Sequence, residues 1–336
     1  MKKTLIALAA LAATGAAFAQ SSVTIYGVAD VSVGKVSDAV VKTPAVAATA
    51  TAAAKPATYA LGMSSDTFQA IANNSLNNGN SRLGFKGVED LGGGMKAGFN
   101  FEEGINLANG ANDAPQNFHR ASWVNLAGNF GEVRLGRSLS TSFYSVAKWE
   151  LTGTANYSVV ANQFSFAGAG SRNDAGVMYF SPDFNGFSFG ASTVLKGNSA
   201  SGNAKYDLSA TYAAGPVVAS LAYNTQKGAN KGLALGGKYT IGNFAVAASY
   251  QDVKKEATGV KVAKGFTLGG TTTMGPVSLT LDVARDTEFK DTDLVFEAKY
   301  ALSKRTFLYG VVLRDGKGKV LTQNATGYAL GLRHNF

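Results

Sequence analysis

The 336-residue chain contains no cysteine, which excludes disulfide staples, thiolate nucleophiles and cysteine-held metals. Histidine is nearly absent too. Only His119 and His334 occur, and no metal-ligand spacing accompanies them. Six prolines are few for this length, and beyond residue 19 no apolar run approaches the roughly 20 residues that a membrane-spanning helix needs. Acidic residues are outnumbered, 22 against 31 lysines and arginines, for a formal net charge of +9. What is abundant instead is glycine (40), phenylalanine (20) and tyrosine (13), the composition of many turns and much aromatic surface. Composition leaves a soluble two-domain protein open; the pattern along the chain decides.

Met1-Lys2-Lys3 carries the only charges before Asp30, and an apolar run from Leu5 to Leu11 leads to Ala17-Phe18-Ala19. A basic start, a short apolar core and small residues at the end define a secretory signal peptide over residues 1–19, with the mature chain (20–336) starting at Gln20.

From residue 204 onward apolar and polar residues alternate with a period of two. Val217, Ala219, Leu221 and Tyr223 oppose Ser220, Asn224 and Gln226; Val277, Leu279, Leu281 and Val283 oppose Ser278, Thr280 and Asp282. Phe307, Tyr309, Val311 and Leu313 share a face, as do Tyr328, Leu330 and Leu332. Such alternation marks strands with one apolar and one polar face. Their length matches the roughly nine to eleven residues of a tilted membrane-crossing strand rather than a sandwich strand of about five or six. Tyrosines cluster near strand ends, as in an interfacial girdle, and tight Gly/Pro/Asn turns alternate with longer polar loops such as 251–264.

Sixteen strands are predicted, near 23–36, 80–89, 95–104, 117–126, 131–138, 172–181, 186–195, 204–213, 216–226, 232–241, 243–253, 264–273, 276–286, 292–301, 305–314 and 325–336. The expected fold is therefore all-β, a sixteen-stranded antiparallel transmembrane β-barrel whose size leaves an aqueous lumen. Two connections stand out. Residues 39–79, rich in Ala, Thr and Asn, read as a long external loop. Residues 138–170 carry Phe143, Tyr144, Trp149, Tyr157, Phe164 and Phe166, too many aromatics for a solvated segment, and read as an inward-folded third loop.

Several segments are similar to a known family. They are Ser22-Val23-Thr24-Ile25-Tyr26-Gly27-Val28, the stretch from Ser81-Arg82-Leu83-Gly84 to Gly94-Met95-Lys96, Phe118-His119-Arg120-Ala121, and Asn129-Phe130-Gly131-Glu132-Val133-Arg134-Leu135-Gly136-Arg137. Together they resemble the general porins of the Gram-negative outer membrane, closest to the trimeric, anion-selective type of the beta-proteobacteria. The resemblance spans the mature chain and is weakest in the loops. Tyr328, Leu330, Leu332 and Phe336 are similar to the C-terminal signal read by the outer-membrane assembly machinery, with His334 a departure from the usual apolar choice. The resemblance implies a homotrimer, contact with the lipid bilayer and lipopolysaccharide, and a pore for small anions and hydrophilic solutes. It also implies a constriction where the third loop faces arginines; by motif these are Arg82, Arg120 and Arg172.

On the second strand, Leu83, Phe85 and Gly87 make an outward face, which turns Arg82 and Lys86 into the lumen independently of any family. Lys86, Lys96, Lys238 and Arg314 are further lumen candidates, with Glu102 tempering the field near Lys96. The constriction loop holds a single acid, Glu150, beside Lys148, so anion preference is expected. Solvated loop charge, or attraction to lipopolysaccharide phosphates at the rim, also accommodates the basic balance.

A barrel enzyme would need a nucleophile, base and orienting group, and two isolated histidines without cysteine do not supply them. Gly92-Gly93-Gly94 lies between two strands and is a turn rather than a phosphate loop. No cofactor, metal or nucleic acid is expected. A substrate-specific channel with an aromatic slide and a soluble secreted β-sandwich are the remaining alternatives.

Overall fold

The computed structural model describes residues 22–37, 41–43, 58–59, 61, 66–318 and 321–336. The expected leader and its cleavage point lie outside the described residues. Sixteen long strands follow one another: β1 (Ser22–Ser37), β2 (Arg82–Gly92), β3 (Met95–Gly104), β4 (Ala121–Gly128), β5 (Gly131–Leu139), β6 (Arg172–Phe180), β7 (Phe187–Val194) and β8 (Lys205–Ala214). After these come β9 (Val217–Gln226), β10 (Asn230–Ile241), β11 (Phe244–Lys255), β12 (Lys261–Met274), β13 (Val277–Asp286), β14 (Asp291–Ala301), β15 (Thr306–Asp315) and β16 (Ala325–Asn335). Each pairs antiparallel with the next, and β16 pairs with β1 from Val28↔Asn335 to Ser37↔Thr326. The sheet closes on itself, as a strand edge left open in lipid would strand its backbone polar groups at several kcal/mol each.

The outer face is apolar and open: Val23, Ile25, Leu208, Leu235, Val246, Leu268, Leu281 and Leu330 all point away from the lumen. Inward-facing partners at the alternate positions are small or polar, as along β10, where Gly232, Ala234 and Gly236 alternate with Leu233 and Leu235. Two-residue hairpins at Gly215-Pro216, Gly242-Asn243 and Gly275-Pro276 begin with a left-handed glycine (φ +56°, +57° and +57°), a conformation that glycine adopts at little cost. The last residue completes the closure. Phe336 exchanges backbone hydrogen bonds with Gly27 (3.0 and 3.1 Å), and a Cβ on Gly27 would lie 2.4 Å from the Phe336 ring.

Four details differ from the sequence expectation. The loop expected at 251–264 is mostly ladder, since Asp252↔Lys264 and Val253↔Ala263 pair and only residues 256–260 turn. The fourth strand starts at Ala121, so Arg120 sits just before it, tied by its N–H to the Glu102 carbonyl (3.1 Å).

The third difference concerns β15. Its face of Phe307, Tyr309, Val311 and Leu313 points inward and Arg314 points outward, because Leu308 and Val312 give the strand an equally apolar outer side. Alternation cannot orient a strand whose two faces are both apolar; the third loop packed inside decides it. Arg314 therefore leaves the set of lumen candidates.

The fourth lies at the end of the 39–79 segment. Gln69–Ile71 adds a short strand against Ser32–Gly34 of β1, and Leu76, Asn77 and Asn78 are buried. Asn77 donates to Asp30 Oδ1 (3.3 Å), Ser32 Oγ (3.0 Å), the Ile71 carbonyl (3.2 Å) and the Tyr309 hydroxyl (3.3 Å). An amide of this kind meets its hydrogen-bonding demand inside the barrel, which composition could not distinguish from solvation.

Candidate pore constriction

The connection from β5 to β6 contains two short helices, α1 (Thr141–Ala147) and α2 (Val159–Phe164). Ser140 and Ser158 cap them, accepting from the N–H groups of Phe143 (3.1 Å) and Ala161 (3.2 Å). The segment binds inward-facing wall residues along its length. Ser142 N–H donates to Asp207 on β8 (3.1 Å), and Trp149 Nε1 to Ser220 on β9 (2.9 Å). Asn224 donates to the Ala167 carbonyl (2.9 Å), and Ala167 N–H donates to Gln251 on β11 (3.1 Å).

The wall is made smooth where the loop lies on it. A Cβ on Gly236 would sit 2.3 Å from the Trp149 ring, and one on Gly232 only 1.7 Å from the Ala167 carbonyl oxygen. Trp149 is almost fully buried against this surface, and Tyr157 and Phe164 are buried farther round the barrel, in a cluster with Val253, Ala284 and Val295. Each buried aromatic withdraws roughly 150–250 Å² from water, a gross stabilisation of about 4–6 kcal/mol at ~25 cal/mol/Å².

On the far side, Tyr157 donates its hydroxyl to Glu297 of β14 and accepts from Asn78 Nδ2 (2.6 Å). Lys299 pairs with the other Glu297 oxygen (2.9 Å). Burial, together with the Glu297 carboxylate, raises the Tyr157 phenol well above its usual pKa, so it stays protonated and the contact is a hydrogen bond at all ordinary pH. At the turn after α2, Ser165, Phe166 and Ala167 all hold positive φ (49°, 55° and 59°), a run that the contacts of Ala167 with the wall sustain.

Between the loop and the opposite wall lies a lumenal space of about 530 Å³. Arg82, Arg120 and Arg172 all line it, and so does Arg333 of β16. Arg120 Nε meets Glu102 Oε1 at 2.8 Å, and Arg82 Nε meets Glu102 Oε2 at 3.6 Å. The Tyr26 hydroxyl also donates to Glu102 (2.9 Å).

The remaining donors go to neutral acceptors. Arg82 Nη1 reaches the Asn80 carbonyl (3.2 Å), Arg172 Nε the Arg120 carbonyl (2.8 Å), and Arg333 Nη1 the Asn78 side-chain carbonyl (2.8 Å). Asp30 lies 4.0 Å from Arg333 but is itself fully buried and engaged by Tyr309, Asn77 and Gly79 N–H. Carbonyls orient guanidinium groups without cancelling their charge, so most of the positive charge is left facing the space.

The loop side presents Thr154, Asn156, Asn162 and Ser165, and none of the loop's described residues lining the space is a carboxylate. Glu150 does not face the arginines. It is buried within the loop, accepting from Thr152 Oγ1 (2.5 Å), Thr154 N–H (2.6 Å) and Ser158 Oγ (2.8 Å). Lys148 is exposed to a different space, shared with Glu132, Arg134 and Tyr144 nearer the short-turn rim.

Lys86 shares the inward face with Asn100, its Nζ 5.1 Å from the Tyr26 ring centre, while Lys96 lies on the same face at the short-turn end, opposite Asp90. Lys238 also has inward parity, next in line after Gly236 on β10.

Sequence reasoning missed Arg333 and Arg134. Arg333 hid inside the C-terminal pattern of alternating apolar residues, where its odd-numbered position marks the inward face. Arg134 stacks on Trp123 (4.2 Å from the ring centre) and bonds Glu132, Ser138 and Tyr144.

A closed barrel with an apolar outside, a polar inside and a loop narrowing its lumen is an outer-membrane diffusion channel. A family model described as "Gram-negative porin" matches residues 4–318, and the chain belongs to that family. It is 33% identical over 377 residues, covering 100% of both chains, to outer membrane porin protein 32 of Delftia acidovorans. It is 29% identical over 292 residues to the major outer membrane protein P.IB of Neisseria lactamica, covering 76% of this chain and 83% of that one.

Among solved structures, it matches the anion-selective porin from Comamonas acidovorans with a TM-score of 0.72 and 26% identity, over 94% of this chain and 100% of the other. An outer membrane protein of Vibrio cholerae matches with a TM-score of 0.63 at 14% identity, over 94% and 98%, a likeness of fold alone. The chain is a porin of the outer membrane, and its relatives are channels rather than enzymes.

Proposed function

We propose that this porin is an anion-preferring general diffusion pore whose selectivity is set by Arg82, Arg120 and Arg172 facing the third loop, with Arg333 as a fourth cation. One observation carries the reading. Four guanidinium groups line the same 530 Å³ of lumen, Glu102 is the carboxylate between them, and the loop opposite supplies amides and hydroxyls. A small anion gains from that field and a cation is repelled, the more so because apolar walls focus it. The anion-selective title of the Comamonas neighbour supports the same sign.

In a bilayer separating two concentrations of potassium chloride, wild-type pores should reverse at a potential of anion-selective sign; a cation-selective sign would overturn the proposal. Arg333→Gln removes one unit of charge from the same space and should lower the anion-to-cation permeability ratio, by less than a charge reversal at Arg82. An unchanged ratio would take Arg333 out of the selective set.

The aromatic-slide alternative has less to stand on, since Trp149, Tyr157 and Phe164 are buried behind the loop rather than displayed along the pore. A trimer fits the outer surface near β1–β5. There an apolar groove lined by Val23, Gly87, Phe99, Val124, Leu126 and Leu135 offers a concave flank for a neighbouring subunit.

A further inference from the structure

The arginine-lined space is bounded on a third side, besides the barrel strands and the third loop. Asn78, Gly79 and Asn80, at the end of the connection from β1 to β2, line it as well. A tight turn carries them there. Asn77 N–H donates to the Asn74 carbonyl (3.0 Å), and Leu76 is fully buried beneath. From the opposite side Asn156 of the third loop donates to the Asn74 carbonyl (3.0 Å) and to Asn80 Oδ1 (2.7 Å). The turn is pinned by wall and loop together, which gives Asn78 a fixed place between them.

Asn78 stands between a cation and an anion. Its Oδ1 accepts from Arg333 Nη1 (2.8 Å), while its Nδ2 donates to the Tyr157 hydroxyl (2.6 Å) and at longer range to Glu297 Oε2 (3.4 Å). The amide fits only this way round, because a guanidinium offers donors alone and a carboxylate acceptors alone. Arg333 also lies close over Gly79, where a Cβ would stand 2.8 Å from Nη1, so the chain leaves the guanidinium room beside the pore. Glu297 is 1% exposed and has its other contacts in Tyr157 and Lys299.

We propose that Asn78 is a positioning residue for selectivity: its amide keeps Arg333 from pairing with Glu297 and so leaves the fourth guanidinium's charge acting on the lumen. The inference rests on the reading of Arg333 as a selective cation. Brought into contact, an arginine and a carboxylate form a strong pair whose opposite charges largely cancel for an ion passing at a distance. Asn78 satisfies both groups while holding them an amide's width apart. Truncating it takes an acceptor from Arg333 and opens the space across which Glu297 lies. Asp30, 4.0 Å from Arg333, is already engaged by Tyr309, Asn77 and Gly79 N–H.

The test compares reversal potentials of the full-length porin and its variants in a bilayer separating two concentrations of potassium chloride. Asn78→Ala should lower the anion-to-cation permeability ratio about threefold, as far as Arg333→Gln lowers it, and should add nothing to Arg333→Gln. In a Glu297→Gln background no carboxylate is left there to capture the arginine, and Asn78→Ala should leave the ratio where Glu297→Gln sets it. A turn that merely loosens would move ratio and conductance in both backgrounds. Asn78→Ser, which keeps a hydroxyl but is too short to bridge the two groups, serves in the same backgrounds where the alanine variant fails to assemble. A ratio unmoved by the Asn78 variants while Arg333→Gln lowers it would overturn the positioning role alone. So would a fall that survives Glu297→Gln. An Arg333→Gln pore with the wild-type ratio would instead overturn the underlying reading of Arg333, and the role of Asn78 with it.

Discussion

Arg82→Glu should convert the pore from anion preference towards cation preference, the largest single-residue effect expected on permeation. A unit charge about 8 Å from a passing ion shifts its energy by about 0.5 kcal/mol in the dielectric of water and about 2 kcal/mol at an effective dielectric near 20. Reversing the charge doubles that shift and acts in opposite senses on anion and cation, so their permeability ratio should fall about tenfold or more. The local structure reinforces the effect. Glu102 lies 3.6 Å from Arg82 and would face a second carboxylate while keeping its 2.8 Å contact with Arg120. Reversal potentials of the variant and of Arg82→Gln, measured in the same gradient, check the order wild type, glutamine, glutamate; no movement of the potential would remove Arg82 from the constriction.

Gly232→Val should unseat the third loop and enlarge the pore. The first added carbon would stand 1.7 Å from the Ala167 carbonyl oxygen and 2.7 Å from its carbon, both backbone atoms with no rotamer to escape into. Either the loop or the wall must move, and the wall is locked in the ladder with β9 and β11. Displacing Ala167 breaks its bonds to Asn224 and Gln251. Overpacking of this kind costs about 1–3 kcal/mol, enough to raise the population of a displaced loop by roughly 5- to 150-fold. Single-channel conductance should rise, with a noisier open state, while the barrel keeps its thermal stability. Leu233→Val, one residue away on the lipid face, should leave conductance alone. A Gly232→Val channel with wild-type conductance would show that the loop is not what narrows the lumen.

Much of the barrel was legible because its outer surface obeys one rule. Lipid accepts only apolar side chains, so alternation along β9, β11, β13 and β16 announces strand, face and length together. The rule fails where the inside is also apolar. Along β15 both faces are greasy, and the sequence offers no reason to turn Tyr309 rather than Leu308 inward; the reason is α2 and the loop, which cover that stretch of wall. The same cover explains why Glu150, read from sequence only as the single acid of the constriction loop, is a buried strut within that loop. Its partners Thr152, Thr154 and Ser158 are near neighbours in sequence, but nothing short of the folded loop shows that they close around it.

The arginines divide along similar lines. Arg82 could be placed in the lumen from the parity of Leu83, Phe85 and Gly87, a purely local argument. Arg120 and Arg172 stand at strand starts, where parity is weak, and Arg333 lies more than 150 residues from any of them in sequence. Only closure of β16 onto β1 carries it to the same space.

By itself, then, the sequence determined an outer-membrane barrel of sixteen strands, with one guanidinium directed into its lumen, because lipid imposes a residue-by-residue pattern on whatever touches it. The tertiary structure decided which charges meet, which acid is spent inside the loop, and how the loop lies against glycine-lined wall. Those outcomes depend on groups brought together across the lumen, where the chain's own periodicity carries no information.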